Sequence, residues 1–198
     1  MSITTKLVAA SGFALLVAAC SDAGSTRVQT ADLGTVLDRT AIMLQGYQDY
    51  LNEEGIEEVT DEHLDELRQG LVYAYNVEPF YDKPVGVSLK EDASFLGYVD
   101  ANMNDTQDVG ESDIFTVEID EENERLIATD TTGNSTGLRV SGTGLLAGYV
   151  MGRLITRQRG AGVTRSAFNS RTVGDRSSYR APASARSRAR TGGSRVGK

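Results

Sequence analysis

The stretch FLGYVDANMNDTQDVGESDIFTVEID, residues 95–120, contains two runs rich in apolar side chains on either side of a long polar loop. Successive side chains of a β-strand point to opposite faces, so in the run at 95–99 Phe95, Gly97 and Val99 share one face and Leu96 and Tyr98 the other, and the run at 114–119 likewise predicts a strand. A third run, at 125–129, follows the polar turn DEENE. Short runs of β-branched and aromatic residues joined by polar turns are typical of antiparallel strands. The sequence therefore predicts a three-stranded antiparallel β-meander.

Two amphipathic helices precede these strands. In residues 32–52 apolar side chains recur every three or four positions, the period of a helix with one buried face, and Gly55 is placed to end it. Thr60 is placed to begin a second helix, because its hydroxyl can accept a hydrogen bond from the backbone of the first turn. The pattern predicts an α+β domain over residues 31–140 that starts with an antiparallel helical hairpin.

The loop between the first two predicted strands has the spacing of a calcium site. Calcium takes about six to eight hard oxygen ligands, and such donors recur at alternate positions of residues 100–111. Asp105 stands at the sixth position, where the usual loop has glycine in a left-handed turn, and aspartate tolerates that conformation better than most residues. Two neutral asparagines predict a weak site suited to extracellular calcium. The candidate ligands are Asp100, Asn102, Asn104, Thr106 through its backbone carbonyl, Asp108 and Glu111.

This region resembles a known type of loop. FLGYVDANMNDTQDVGE followed by IFTVEID is similar to the calcium loop of bacterial surface β-sandwich repeats of the SdrD B-repeat kind, and it shares the ligand spacing of dockerins. The resemblance covers about twenty-five residues, and it implies a ligand geometry rather than a whole sandwich. The alternative is an acidic β-turn that binds no specific ion.

The N-terminal residues predict export. Residues 1–19 carry one lysine and then an apolar run too short to cross a bilayer, as in a secretory signal peptide. The sequence VAAC at 17–20 resembles the lipobox of bacterial lipoproteins, which implies that Cys20 carries lipid, including a palmitate-type chain, and begins a lipidated linker at residues 20–30. Cys20 is the only cysteine, and acylation accounts for an unpaired thiol in an exported chain. The alternative is a plain cleaved signal with a free cysteine.

The same resemblance implies a location. Ser21 follows the cysteine, and by the sorting pattern of enterobacterial lipoproteins this looks like an address to the periplasmic face of the outer membrane. We therefore expect a protein of the bacterial cell envelope, held to the membrane by its lipid anchor.

Charge divides the chain into two unlike parts. Residues 21–150 contain 27 acidic and 7 basic residues, whereas residues 151–198 contain 12 basic residues and one acidic residue. Residues 158–198 are rich in Arg, Ser and Gly and poor in apolar side chains, a composition that predicts a disordered tail. We expect the tail to bind anionic lipid or lipopolysaccharide, and we expect no nucleic-acid partner in an exported protein. The candidate contact residues are Arg153, Arg157, Arg159, Arg186, Arg188 and Arg190.

Between the domain and the tail, residues 141–157 have a glycine at every fourth position. On a helix, Gly144, Gly148 and Gly152 would form a smooth stripe that permits close packing, either with another copy of the chain or with an envelope protein. The segment can also lie in a membrane interface, or it can be an ordinary helix packed on the domain. Its sequence AGYVMGRL, with the basic tail and the lipobox, resembles the uncharacterised YgiB-like lipoproteins.

Little in the sequence predicts catalysis. The only histidine, His63, falls in the first turn of the second predicted helix, where a solvated surface role is expected. We therefore predict a non-enzymatic, calcium-binding structural or interaction module. The alternatives are a cell-envelope hydrolase that uses a pair of carboxylates, and an adaptor that recruits a protein partner.

Overall fold

The computed structural model describes residues 30–140 and 145–176. Over these residues the chain has an α+β fold, in which three α-helices accompany one six-stranded sheet. The elements in chain order are α1 (Leu33–Glu53), α2 (Asp61–Asn76), β1 (Val85–Leu89), β2 (Phe95–Val99), β3 (Asp113–Asp120), β4 (Arg125–Asp130), β5 (Ser135–Arg139), a short 3₁₀ turn (Leu145–Ala147), α3 (Tyr149–Gly160), a second 3₁₀ turn (Arg165–Phe168) and β6 (Gly174–Asp175).

The helical hairpin is confirmed, and residues at the ends of α1 fix its boundaries. The Asp32 side chain caps α1 by accepting hydrogen bonds from the N–H groups of Gly34 and Thr35, at 3.0 and 3.2 Å. Gly55 follows α1 with φ of 69°, a left-handed conformation that glycine adopts without strain. The boundaries of α1 therefore follow from residues next to them in sequence.

His63 has a structural role at the start of α2. The Thr60 hydroxyl accepts a hydrogen bond from His63 N–H, and the His63 ring accepts one of 3.1 Å from Thr60 N–H through Nδ1. This is a capping box in which histidine takes the place usually filled by Glu or Gln. His63 is thus partly buried and engaged with the helix start.

The sheet is larger than the predicted meander. Strands β1 to β5 are antiparallel neighbours in chain order, and β6 adds to β5 in parallel. Strands β2, β3 and β4 lie where the sequence predicts them, but β1, β5 and β6 were missed. Strand β1 follows closely after Pro84, and the β5 sequence STGLR has few strand-forming side chains. These strands form because neighbouring strands supply their hydrogen bonds.

Side chains of α2 protect the outer edge of β1. Asn76 pairs with the backbone of Val85 in both directions, donating to its carbonyl at 2.8 Å and accepting from its N–H at 2.9 Å. Arg68 donates to the Val87 carbonyl at 3.4 Å. Exposed strand edges invite pairing with other chains, so these bonds cover backbone groups that would otherwise face solvent.

The core lies between the helices and one face of the sheet. Helix α1 packs over β4 and β5, and α2 packs over β1. Helix α3 joins the same core through Val150, Met151, Leu154 and Ile155, which are all buried. Residues 141–157 were predicted as a segment separate from the domain, but the part from 145 onwards is an integral part of it.

The glycine stripe does not form one packing surface. A Cβ added to Gly148 would lie 2.3 Å from the Gln48 side chain of α1, whereas one added to Gly152 would meet nothing within 4 Å. Gly144 lies outside the described residues. Of the alternatives open from sequence, the structure has the helix packed on the domain, with Gly148 against a helix rather than against the sheet.

The predicted disorder from residue 158 onwards is wrong for its first part. Residues 161–176, which we call the strap, leave α3, form a 3₁₀ turn and end in β6 beside β5. Phe168 is buried, and Val173 lies against Gly137 on the sheet face opposite the helices. The composition is poor in apolar residues, but Phe168, Val173 and ion pairs with the acidic domain hold the segment on a sheet that already exists. Residues 177–198 lie outside the described residues.

Candidate functional site

The Asp100–Glu111 loop joins β2 to β3, as predicted. Its first residue, Asp100, has a side chain that is 2% exposed, while most of the following residues face solvent. The Asp100 backbone N–H donates to the Pro84 carbonyl at 3.0 Å, which fixes the start of the loop to the residue just before β1. The loop therefore begins at a fixed point at the end of β2.

The turn required by the calcium pattern is present. Asp105 has φ of 59°, so aspartate takes the left-handed conformation at the sixth position. Its N–H donates to Asp100 Oδ2 at 2.9 Å, and the N–H of Asn104 donates to Asp100 Oδ1 at 3.1 Å. The chain thus folds around the Asp100 carboxylate, and each carboxylate oxygen retains a further lone pair.

The two asparagines and Asp108 converge on one point. Asn102 and Asn104 both donate through Nδ2 to Asp108 Oδ2, at 2.8 and 3.0 Å. The Oδ1 of Asn102 accepts from Asn104 N–H at 3.2 Å, and the Oδ1 of Asn104 accepts from Thr106 N–H at 2.9 Å. Alternate side chains of the loop therefore point inward, as the spacing predicts.

Glu111 closes the loop with both of its oxygens. Oε1 accepts from the N–H of Ala101 at 2.8 Å, and Oε2 accepts from the N–H of Asp108 at 2.8 Å. The last candidate ligand is thereby tied to the beginning and to the ninth position of the loop. Within the described part of the chain, however, no group of three or more His, Cys, Asp or Glu side chains is arranged to hold a metal ion. The carboxylates here are engaged with N–H groups of the loop itself.

Two residues, one next to the loop and one within it, were not among the sequence candidates. The Tyr98 hydroxyl is buried and has no hydrogen-bond partner within the described residues. Burial raises the pKa of Tyr98 to about 12, and the negative charge of Asp100 adds to the effect. Gln107 donates to Asp113 at 2.7 Å and so braces the loop against the start of β3. The alternation of the 95–99 run places Tyr98 on a sheet face, but nothing in it indicates an unpaired hydroxyl.

The first three candidate arginines contact carboxylates of the domain. Arg153 lies 3.0 Å and Arg157 3.8 Å from Asp61, at the start of α2. Arg159 binds Glu121 at 2.7 Å, in the turn between β3 and β4. This hydrogen bond is the main cause of a lowered pKa for Glu121. These arginines therefore have partners on their own chain.

The strap continues this pairing. Arg165 also contacts Glu121, at 3.1 Å, Arg171 pairs with Glu118, and Arg176 pairs with Asp38 on α1. The basic segment and the acidic domain are thus partly neutralised by each other. The remaining candidates, Cys20 and Arg186, Arg188 and Arg190, lie outside the described residues.

A groove of about 910 Å³ lies over β1 to β3, with the acids Asp92 and Asp113 among its lining residues. Asp92 accepts hydrogen bonds from the N–H and hydroxyl of Ser94, at 3.0 and 2.6 Å. Asp113 accepts the bond from Gln107. Both carboxylates hold local turns together.

Comparisons of the chain with known protein families, with curated protein sequences and with solved structures found no match. Among the helices of residues 30–140 and 145–176, none combines the length and the apolar character that crossing a membrane requires.

Proposed function

We propose that this protein is an exported, lipid-anchored, non-enzymatic module of the bacterial cell envelope whose β2–β3 loop binds calcium. The observation that carries the calcium proposal is the left-handed Asp105, because it turns the chain so that Asn104 and Asp105 donate to the buried Asp100 carboxylate. A calcium loop needs this sharp turn to bring alternate oxygen donors to one point.

The electrostatics of the loop favour a divalent cation. Asp100, Asp108 and Glu111 bring three carboxylates to one short loop, and the Tyr98 hydroxyl is buried close enough to Asp100 and Glu111 for their charges to raise its pKa. Calcium would replace the hydrogen bonds that Asn102 and Asn104 donate to Asp108 with bonds to their amide oxygens. Calcium would bring to this loop a positive charge, and carboxylate oxygens are ligands that calcium prefers.

The anchor and the membrane contact rest on sequence. The lipobox-like VAAC ending at Cys20 supports lipid attachment, and Ser21 after it supports an outer-membrane position by the enterobacterial sorting pattern. Six of the 12 basic residues after 150 lie beyond Arg176, and a polybasic segment next to an anionic leaflet is attracted to its phosphates. These residues support binding to anionic lipid or lipopolysaccharide.

Thermal unfolding with added calcium tests the site. A ligand that binds only the folded state raises the melting temperature by mass action. We expect millimolar calcium to raise it by about 3–6 °C when the site is near saturation. Glu111→Gln and Asp108→Asn should remove the shift, whereas Glu57→Gln, an exposed glutamate before α2, should retain it. An equal shift in all four proteins, or none in the parent chain, would exclude the site.

A further inference from the structure

The strap makes only a thin apolar contact with the sheet. Phe168 is its buried side chain, Val173 touches Gly137, and the pairing of β6 with β5 involves two residues of each strand. A hollow of about 270 Å³ remains where the strap meets the sheet, lined in part by Glu118 and Phe168. A contact that leaves this much open space is packed less closely than the main core.

Ion pairs supply much of the remaining attachment. Within the strap, Arg165 pairs with Glu121, Arg171 with Glu118 and Arg176 with Asp38 on α1. The side chains of these three arginines are 43–66% exposed, so water and salt reach every pair. Exposed ion pairs are individually weak, and salt at about 0.1 M screens charges beyond about 10 Å. The attachment is therefore sensitive to ionic strength in a way that the apolar core is not.

The strap covers one region of the outer sheet face. Ile127 on β4 is fully buried but does not belong to the core beneath the helices, and its neighbour on β5 is Gly137, which Val173 covers. The extensive element contact of the strap is that of β6 with β5. Departure of the strap would uncover this patch and leave α1 to α3 and β1 to β5 in contact with one another.

We propose that the strap is a salt-sensitive latch, which undocks from the sheet as one unit while the rest of the domain stays folded, and whose released arginines bind a phosphate-bearing membrane surface. The undocking itself is independent of the function proposed above, whereas the membrane step rests on it. A surface that binds the arginines only when the strap is undocked shifts the equilibrium toward the undocked form of the protein.

Hydrogen exchange tests the latch without a membrane. In the soluble chain from Ser21 to Lys198, we expect amides of residues 163–176 to exchange about tenfold faster at high salt than at low salt, while amides of β3 stay unchanged. The double variant Glu118→Gln, Glu121→Gln should show the fast rate already at low salt, and Glu57→Gln should behave as the parent. Exchange of the strap and β3 at one common rate, or a strap rate independent of salt, would overturn the proposal.

Distance measurements test the membrane step. The soluble chain lacks the only cysteine, so spin labels can be placed on exposed positions by Ser166→Cys and Lys90→Cys. We expect phosphatidylglycerol vesicles to add a longer distance between the labels, and phosphatidylcholine vesicles to leave it unchanged. Parallel samples with lipopolysaccharide and with inorganic phosphate at matched ionic strength separate the sources of phosphate. If the protein binds vesicles but shows no longer distance between the labels, the membrane step is overturned. If no variant binds vesicles, the result counts against the proposed function, and hydrogen exchange decides the latch.

Discussion

Gln48 on α1 accepts a hydrogen bond of 2.9 Å from the backbone N–H of Val150, in the first turn of α3. Its Nε2 donates to Asn52 at 3.0 Å, so both ends of this buried amide are satisfied. A side chain 102 positions away thus caps the start of α3, and Gly148 lets the two helices approach closely enough for it.

The first prediction concerns this contact. Gly148→Ala should destabilise the protein by about 1–3 kcal/mol, because the new methyl group overlaps Gln48. Gly152→Ala, on the exposed side of the same helix, should be neutral or stabilise it by up to about 1 kcal/mol through helix propensity. Urea unfolding of both variants measures the difference. Equal changes in the free energy of unfolding for the two substitutions would contradict the contact. So would a Gly148→Ala destabilisation that is just as large when Gln48 is also replaced by alanine.

The second prediction compares two buried tyrosines. Tyr75 shares a hydrogen bond of 2.6 Å with the Thr40 hydroxyl, whereas the Tyr98 hydroxyl has no partner among the described residues. Removing one partner of a buried hydrogen bond costs about 1–3 kcal/mol, and removing an unpaired hydroxyl relieves a desolvation penalty. We expect Tyr75→Phe to destabilise the protein and Tyr98→Phe to be neutral or stabilising in calcium-free denaturant titrations. A loss of stability in Tyr98→Phe as large as that in Tyr75→Phe would show that Tyr98 has a partner.

The third prediction concerns acid. Burial opposes ionisation of Asp130, but hydrogen bonds from Thr132 and Asn134 outweigh it and lower its pKa. Arg159 lowers the pKa of Glu121, and Arg68 with Gln69 lowers that of Asp65. Since the unfolded chain then binds more protons than the folded chain, this stability is fully present above the unfolded values near pH 4 and is lost as the pH falls below them.

Urea midpoints between about pH 2 and pH 6 measure this effect. As the pH decreases below about 4, we expect the urea concentration at the unfolding midpoint to decrease in the parent chain. We expect it to decrease less steeply in Asp130→Asn. Glu57→Gln serves as the control, because it removes a glutamate on the exposed connection between α1 and α2. If the urea midpoint of Asp130→Asn depends on pH as steeply as that of the parent, Asp130 does not contribute to the loss of stability in acid.

The fourth prediction concerns the anchor. If Cys20 is acylated, cells that express the full chain should incorporate labelled palmitate into it, and Cys20→Ser should abolish both the labelling and cleavage by the lipoprotein-specific peptidase. Ser21→Ala, next to the same site, should still be labelled. Labelling of the Cys20→Ser protein at the parent level would refute lipid attachment at this residue.

The local elements of this protein could be predicted from its sequence. Thr60 caps α2 as predicted, and Asp32 caps α1 through N–H groups two and three residues away, whereas the capping role of His63 differs from the solvated surface role expected of it. The turn at Asp105 follows equally from contacts within one loop. Such bonds join residues close in sequence, so the pattern of residue types contains the information that specifies them.

Only the tertiary structure decided the remaining features, because they depend on residues far apart in the chain. Strand β1 can pair with β2 because Gly86 leaves space for the Tyr98 ring, whose atoms would lie 2.3 Å from an added Cβ. The strap is ordered because Arg165 pairs with Glu121, 44 positions earlier, and Val173 packs against Gly137. Its composition alone predicts disorder, since a segment with so few apolar residues cannot offset its ordering entropy unless a preformed surface supplies the partners.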